Sequence, residues 1–213
     1  MQLVMFDIDG TLVDSAGFDG DLFAGAIREV LGIEVDRTWQ SYRNLTDSGV
    51  LSEVLVQHDI DSEPAYSAVK ARFIELVQAH LGNAGSSVTE IPGARSLISR
   101  LQATPAVSLA IATGGWRETA ELKLAHVGIE VAEIPVATSS EAQARVDIMR
   151  RAEQLAGSDV QFKRRTYFGD TPWDRRASAE LGYSFVGIGR KVEHSVTFTD
   201  LSDQAAILSI LGA

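Results

Sequence analysis

The chain has 213 residues, 45% hydrophobic and 23% charged, a balance that excludes wholesale disorder and allows one large domain or a core with a smaller insert. Its formal net charge of -10 opposes tight contact with a nucleic-acid backbone, and the lack of cysteine excludes disulfides, thiolate metal sites and a cysteine nucleophile. No apolar run reaches the ~18 residues of a membrane span, so no membrane partner is expected, and the cysteine-free composition fits a cytoplasmic protein.

The apolar start lacks the basic leader and length of a signal peptide and is cut short by Asp7, so residues 3–6 are expected to form a buried strand. From about 15 to 87 the period is helical. Leu22/Phe23, Ala26/Ile27 and Val30/Leu31 form one apolar stripe, and Val50/Leu51 with Val54/Leu55 a second. Pro64 opens a third helix with Val69, Phe73, Leu76 and Val77 facing inward, ended by Gly82. Small residues bracket the segment, Ser15-Ala16-Gly17 before it and Gly85-Ser86-Ser87 after it, as flexible linkers do. Beyond it, strands are expected over 107–112, 131–137, 166–169 and 183–188. Helices are expected from Pro92 to Leu101, over 116–127 before Gly128, over 145–156 before Gly157, and over 177–181 before Gly182. Strand alternating with helix implies an open parallel α/β sheet, interrupted after its first strand by a helical unit.

In such a sheet, ligands bind beyond the carboxyl ends of the strands. The first strand runs into Asp7-Ile8-Asp9-Gly10-Thr11. The strand at 107–112 runs into Thr113-Gly114-Gly115, and that at 166–169 into Asp170, with Asp174 a helical turn later. Three strands thus deliver carboxylates and a hydroxyl to one edge, oxygen donors of the kind a hard cation takes. One acidic residue after a strand is as readily a helix cap. Asp7 and Asp9 differ, because two carboxylates two residues apart after a buried strand repel each other without a cation. His58, His80, His126 and His194 are scattered and show no metal-ligand spacing.

These residues also carry a resemblance. The stretch from Phe6 to Ser15 resembles the first motif, DxDGT, of the haloacid dehalogenase-like hydrolase superfamily. Ile111-Ala112-Thr113-Gly114 resembles its second motif and Gly169-Asp170-Thr171-Pro172-Trp173-Asp174 its fourth, GDxxxD, while Ile91 to Leu101 is similar to the helix that members place before the second strand. The match covers roughly 1–14 and 88–190 in order. It implies a Rossmann-like α/β core of residues 1–14 and 88–213, with an α-helical cap of the C1 type at 15–87. It further implies a magnesium-dependent phosphatase similar to phosphoglycolate phosphatase, acting on a small phosphorylated metabolite through an aspartyl-phosphate.

By the same resemblance, Asp7 is the nucleophile and Asp9 the acid and base. Magnesium is held by the Asp7 carboxylate, the Asp9 backbone carbonyl and Asp170, with Asp174 as a direct or indirect partner. The Thr113 hydroxyl and the Gly114 N–H hold phosphate oxygens. The third motif departs from the pattern. Ala142-Gln143-Ala144-Arg145-Val146-Asp147-Ile148 has no lysine, so the cation's place falls to Arg145 or, in another register, to Gln143, with Arg145 favoured over Lys163, Arg164 and Arg165. Asp9 stands where phosphonatases usually carry alanine, which sets aside Lys70 as a Schiff-base lysine. Trp173 is a side candidate for shaping the site, and Arg43, in an expected cap loop, for touching substrate. A β-phosphoglucomutase-like mutase and a non-catalytic phospho-acceptor protein remain open alternatives.

Overall fold

The computed structural model describes residues 1–15, 17–39, 41–157 and 160–212. Its elements run β1 (Gln2–Phe6), β2 (Val13–Asp14), α1 (Phe18–Leu31), α2 (Asp47–Gln57), α3 (Ser62–Gly82), β3 (Thr89–Glu90), α4 (Ala94–Gln102), β4 (Val107–Ala112) and α5 (Arg117–His126). They continue with β5 (Val136–Ala137), α6 (Arg145–Gly157), β6 (Arg164–Gly169), α7 (Pro172–Leu181), β7 (Ser184–Ile188), β8 (Thr197–Phe198) and α8 (Gln204–Leu211). Six strands form one parallel sheet in the order β5-β4-β1-β6-β7-β8, an α/β architecture with helices on both faces.

β1 sits inside the sheet between β4 and β6, and all five of its residues are buried. Its side chains alternate by the strand's period of two. Val4 and Phe6 pack with Leu97, Leu101, Leu124 and Ile207 on one face, and Leu3 and Met5 pack with Ile148, Met149, Ala152 and Tyr167 on the other. Register then places the site. Phe6 pairs with Ile111 of β4 and with Phe168 of β6, so three strands end level. The chain leaves β1 toward β4 and later returns to β1's other side as β6, and the crevice at that switch point is where open α/β sheets bind ligands.

Helices α1, α2 and α3 share an apolar cluster of their own, with Phe23, Ile27, Leu51, Val54, Phe73 and Val77 at its centre. A two-stranded antiparallel ladder joins the chain on either side of them, Val13 opposite Glu90 and Asp14 opposite Thr89. Ala16, part of the expected linker, lies outside the described residues.

Some expected elements differ. The strand expected over 131–137 is reduced to Val136–Ala137. Val131 and Ile134 instead close a turn, and Pro135, lacking an N–H, cannot extend the ladder. α4 starts at Ala94 rather than Pro92, because Gly93 turns the chain in the left-handed region at φ 89°. The helix expected at 177–181 begins five residues earlier, at Pro172, where Thr171 and Asp174 form a reciprocal capping box.

Candidate active site

Asp7 follows β1 directly, and its N–H donates to the Phe168 carbonyl at 2.9 Å, which locks the residue to the end of β6. Asp170 follows β6, and Asp174 stands in the first turn of α7. These three buried residues form a group whose carboxylate oxygens lie within 4.8 Å of one another. Asp174 serves two ends of the chemistry at once. Its Oδ2 accepts from the Thr171 N–H at 3.1 Å, completing the helix cap, while its Oδ1 is buried without a hydrogen-bond donor. Asp170 Oδ1 is likewise unpartnered, and its Oδ2 accepts from Lys191 Nζ at 2.9 Å.

Burial dominates the electrostatics of this group. It pushes the Asp7 carboxyl up to about 7, with Asp174 and Asp9 adding to the rise and Arg145 opposing it. It pushes Asp170 up to about 6, helped by Asp7 and opposed by Lys191, and it raises Asp174 as well. Three crowded carboxylates, two of them with an orphaned oxygen, fit a hard divalent cation, whose charge favours the ionised forms.

Arg145 opens α6 and points at this group. Its Nη1 donates to Asp7 Oδ1 at 3.0 Å and to the Tyr167 hydroxyl at 3.4 Å, and its Nε lies 3.5 Å from Asp174 Oδ1. Tyr167 is itself held by donating to the Ala112 carbonyl at 2.8 Å. Of the two residues weighed for the third motif, Arg145 faces Asp7, whereas the Gln143 side chain donates to Ser52 Oγ on α2. Arg164 bonds the Ile210 and Leu211 carbonyls and Arg165 bonds Glu153, both on other surfaces.

Thr113 and Gly114 line the same cavity of about 230 Å³ as Asp7, Asp9, Arg145 and Asp170. The backbone approaches so closely that side chains are excluded. A Cβ on Gly10, at φ 77°, would meet Asp170 Oδ2 at 2.1 Å, and one on Gly114 would meet Arg145 Nη2 at 2.9 Å. Asp9, on the wall of the same cavity, is anchored by its own partners. Both of its carboxylate oxygens accept from Lys123 Nζ at 2.7 Å, and Oδ1 also accepts from the Ser15 hydroxyl.

A family model described as haloacid dehalogenase-like hydrolase matches residues 4–188. The chain belongs to this family. Solved structures share the fold of this haloacid dehalogenase-like hydrolase at low identity. One is a hydrolase from Pseudomonas syringae, with TM-score 0.77, 18% identity and 99% of each chain covered. Another is CbbY from Rhodobacter sphaeroides in complex with phosphate, with TM-score 0.71, 18% identity and coverage of 95% of this chain and 96% of that one. A third is a predicted phosphoglycolate phosphatase from Haemophilus somnus 129pt, with TM-score 0.67, 17% identity and 97% of each chain covered. No curated protein matches the chain.

Sequence reasoning missed four residues that this hydrolase brings to the cavity or just behind it. Lys123 is fully buried, and besides Asp9 it donates to Asp19 Oδ1 at 3.1 Å. Lys191 follows β7. Asp19 and Asp47 stand in the first turns of α1 and α2, where acidic residues are ordinary. Lys123 alone left a usable signal, a lysine in step with Thr119, Ala120 and Leu124 on a buried helix face. Of the side candidates, Trp173 lines the cavity, whereas Arg43 lines a neighbouring groove that also includes Arg145 and Trp173.

Proposed function

We propose that this hydrolase is a magnesium-dependent phosphatase that cleaves a small phosphorylated metabolite through an aspartyl-phosphate on Asp7. The placement of Arg145 against Asp7, beside the Asp7–Asp170–Asp174 group and above Thr113 and Gly114, supports it. Magnesium would be held by Asp7, the Asp9 carbonyl, Asp170 and Asp174, and bound there it would draw charge from the transferring phosphoryl oxygens.

The chain's own groups supply the rest. Asp7 attacks phosphorus through a carboxylate oxygen while Arg145 holds its Oδ1. The Thr113 hydroxyl and Gly114 N–H orient phosphoryl oxygens, and Arg145 answers the charge that grows on them. Asp9, on the cavity wall, enters the step carrying a proton, gives it to the leaving oxygen, and then takes a proton back from the water that splits the acyl phosphate. Residues 15–87 act as a cap over the core of 1–14 and 88–213, excluding water while the phosphoryl group is transferred. The phosphate held by CbbY and the xylulose-(1,5)-bisphosphate held by a mutant of that protein are consistent with phosphoester chemistry on this fold.

Hydrolysis of p-nitrophenyl phosphate, assayed with magnesium and with a chelator, tests the proposal. Turnover is expected with magnesium only, and Asp7→Asn is expected to lose it by about 10³-fold or more. Turnover that survives either chelation or Asp7→Asn would remove the basis for the mechanism.

A further inference from the structure

The two ends of the cavity differ in charge. Its core end holds the carboxylate group together with Arg145 and Lys191, the two cationic side chains among the described residues on its wall. Both are already paired, Arg145 with Asp7 and Asp174, and Lys191 with Asp170. The end formed by residues 15–87 contributes Asp19 and Asp47, together with Phe23, Trp39, Leu45 and Val50, and no Lys, Arg or His among the described residues. Lys123 lies behind this wall with no exposed surface, spent on Asp9 and Asp19.

We propose, resting on the phosphatase reading, that the substrate is the phosphate monoester of an alcohol bearing hydrogen-bond donors, hydroxyl or ammonium, and no second anionic group. A carboxylate or second phosphate on the leaving group would face Asp19 and Asp47, on a side of the small cavity to which residues 15–87 bring no cation among the described residues. Carboxylates are acceptors, so hydroxyls or an ammonium complement them.

The surroundings of Asp47 agree. Its Oδ2 accepts from the Trp116 N–H at 2.8 Å, and its own N–H donates to the Gly114 carbonyl at 2.9 Å, which fixes it beside the phosphate-binding loop. Burial and Asp19 push its carboxyl up to about 8 against the pull of Lys123 and the Trp116 N–H, so an ammonium set beside it would favour the ionised form. Trp39 closes the same end. It holds a left-handed φ of 61°, unusual for a bulky residue, and its ring lies 6.2 Å from that of Phe23 and against Gly20, where a Cβ would come within 3.2 Å. An aromatic face beside two carboxylates suits a donor-bearing aliphatic group.

The test compares kcat/KM for glycerol 1-phosphate, phosphoethanolamine, phosphoglycolate and a sugar bisphosphate, on wild type and Asp47→Asn. Asparagine keeps an acceptor for the Trp116 N–H, and thermal melting checks that the variant is folded. Glycerol 1-phosphate or phosphoethanolamine is expected to exceed both doubly anionic esters by about tenfold or more, the first marking hydroxyl donors and the second an ammonium. Asp47→Asn is expected to narrow that ratio, chiefly through KM. If phosphoglycolate or the bisphosphate is the best substrate, or Asp47→Asn and Asp19→Asn both leave the ratio unchanged, the inference is overturned. Failure of all four esters and of p-nitrophenyl phosphate would instead overturn the phosphatase reading on which it rests.

Discussion

Lys123 has no exposed side-chain surface, yet it keeps its charge. Burial by itself lowers a lysine's pKa, but Asp19 and Asp9 outweigh it here and hold the ammonium protonated. Removing it leaves two carboxylates in a poorly hydrated place with nothing opposite them. Lys123→Met is therefore expected to destabilise the fold by about 3 kcal/mol, the low end for a broken buried pair because Asp9 and Asp19 keep some contact with water. Urea unfolding measures this, and Lys123→Met with Asp19→Asn should recover part of the loss in a double-mutant cycle. A purely additive double variant would show that Lys123 acts through packing alone. Residues such as this were the hardest to see in the sequence. Asp7, Asp9 and Asp170 announce themselves by following apolar strands, whereas Lys123, Asp19, Asp47 and Lys191 reach the cavity or the place just behind it only through tertiary contact between distant segments.

At the scale of elements, the loop after β4 is tied to both halves of the cavity. Thr113 and Gly114 face the carboxylates, and three residues on from Thr113 the Trp116 side chain enters the helical cluster, ringed by Phe23, Tyr66 and Phe73. Its indole N–H donates to the Tyr66 hydroxyl at 3.0 Å. Trp116→Ala is expected to cost about 3–5 kcal/mol, as a buried large aromatic does. It is also expected to speed proteolysis within 18–82, because the anchor between α5 and the helices α1 and α3 is gone. Thermal melting with limited proteolysis checks both, and a cleavage pattern unchanged from wild type would place the loss elsewhere. The strands β1, β4, β6 and β7 were legible because each is a buried apolar run bounded by turn residues. Less could be read where one motif serves two purposes. The residues of GDxxxD line the candidate site and also cap α7, and the apolar period that begins at Ala177 gives no sign of the turn before it. The two-residue ladder of β2 and β3 is too short to leave any period.

Across the whole molecule, the carboxylates at the sheet edge tie stability to pH and, under the proposed mechanism, to magnesium as well. Asp7 and Asp170 have folded-state values pushed up to about 7 and about 6, in each case by burial first, from an ordinary 3.8. Below the ordinary value both are protonated in folded and unfolded chains alike, and they contribute no difference. As pH rises from there toward 7 the unfolded chain gives up these protons while the folded protein retains them, so their contribution to stability falls through that window and then levels off. A cation bound among Asp7, Asp170 and Asp174 reverses the preference, and it competes with protons for the same oxygens. The rise in melting temperature on adding magnesium should thus be small near about pH 5 and larger near about pH 8, with the metal-free protein gaining nothing from these groups at the higher pH. Asp170→Asn removes one ligand and one raised carboxyl together, so it should raise the melting temperature of the metal-free protein at about pH 8 while shrinking the magnesium increment. Equal magnesium increments at the two pH values would break the link between these carboxyls and the cation. An increment undiminished in Asp170→Asn would place the cation elsewhere.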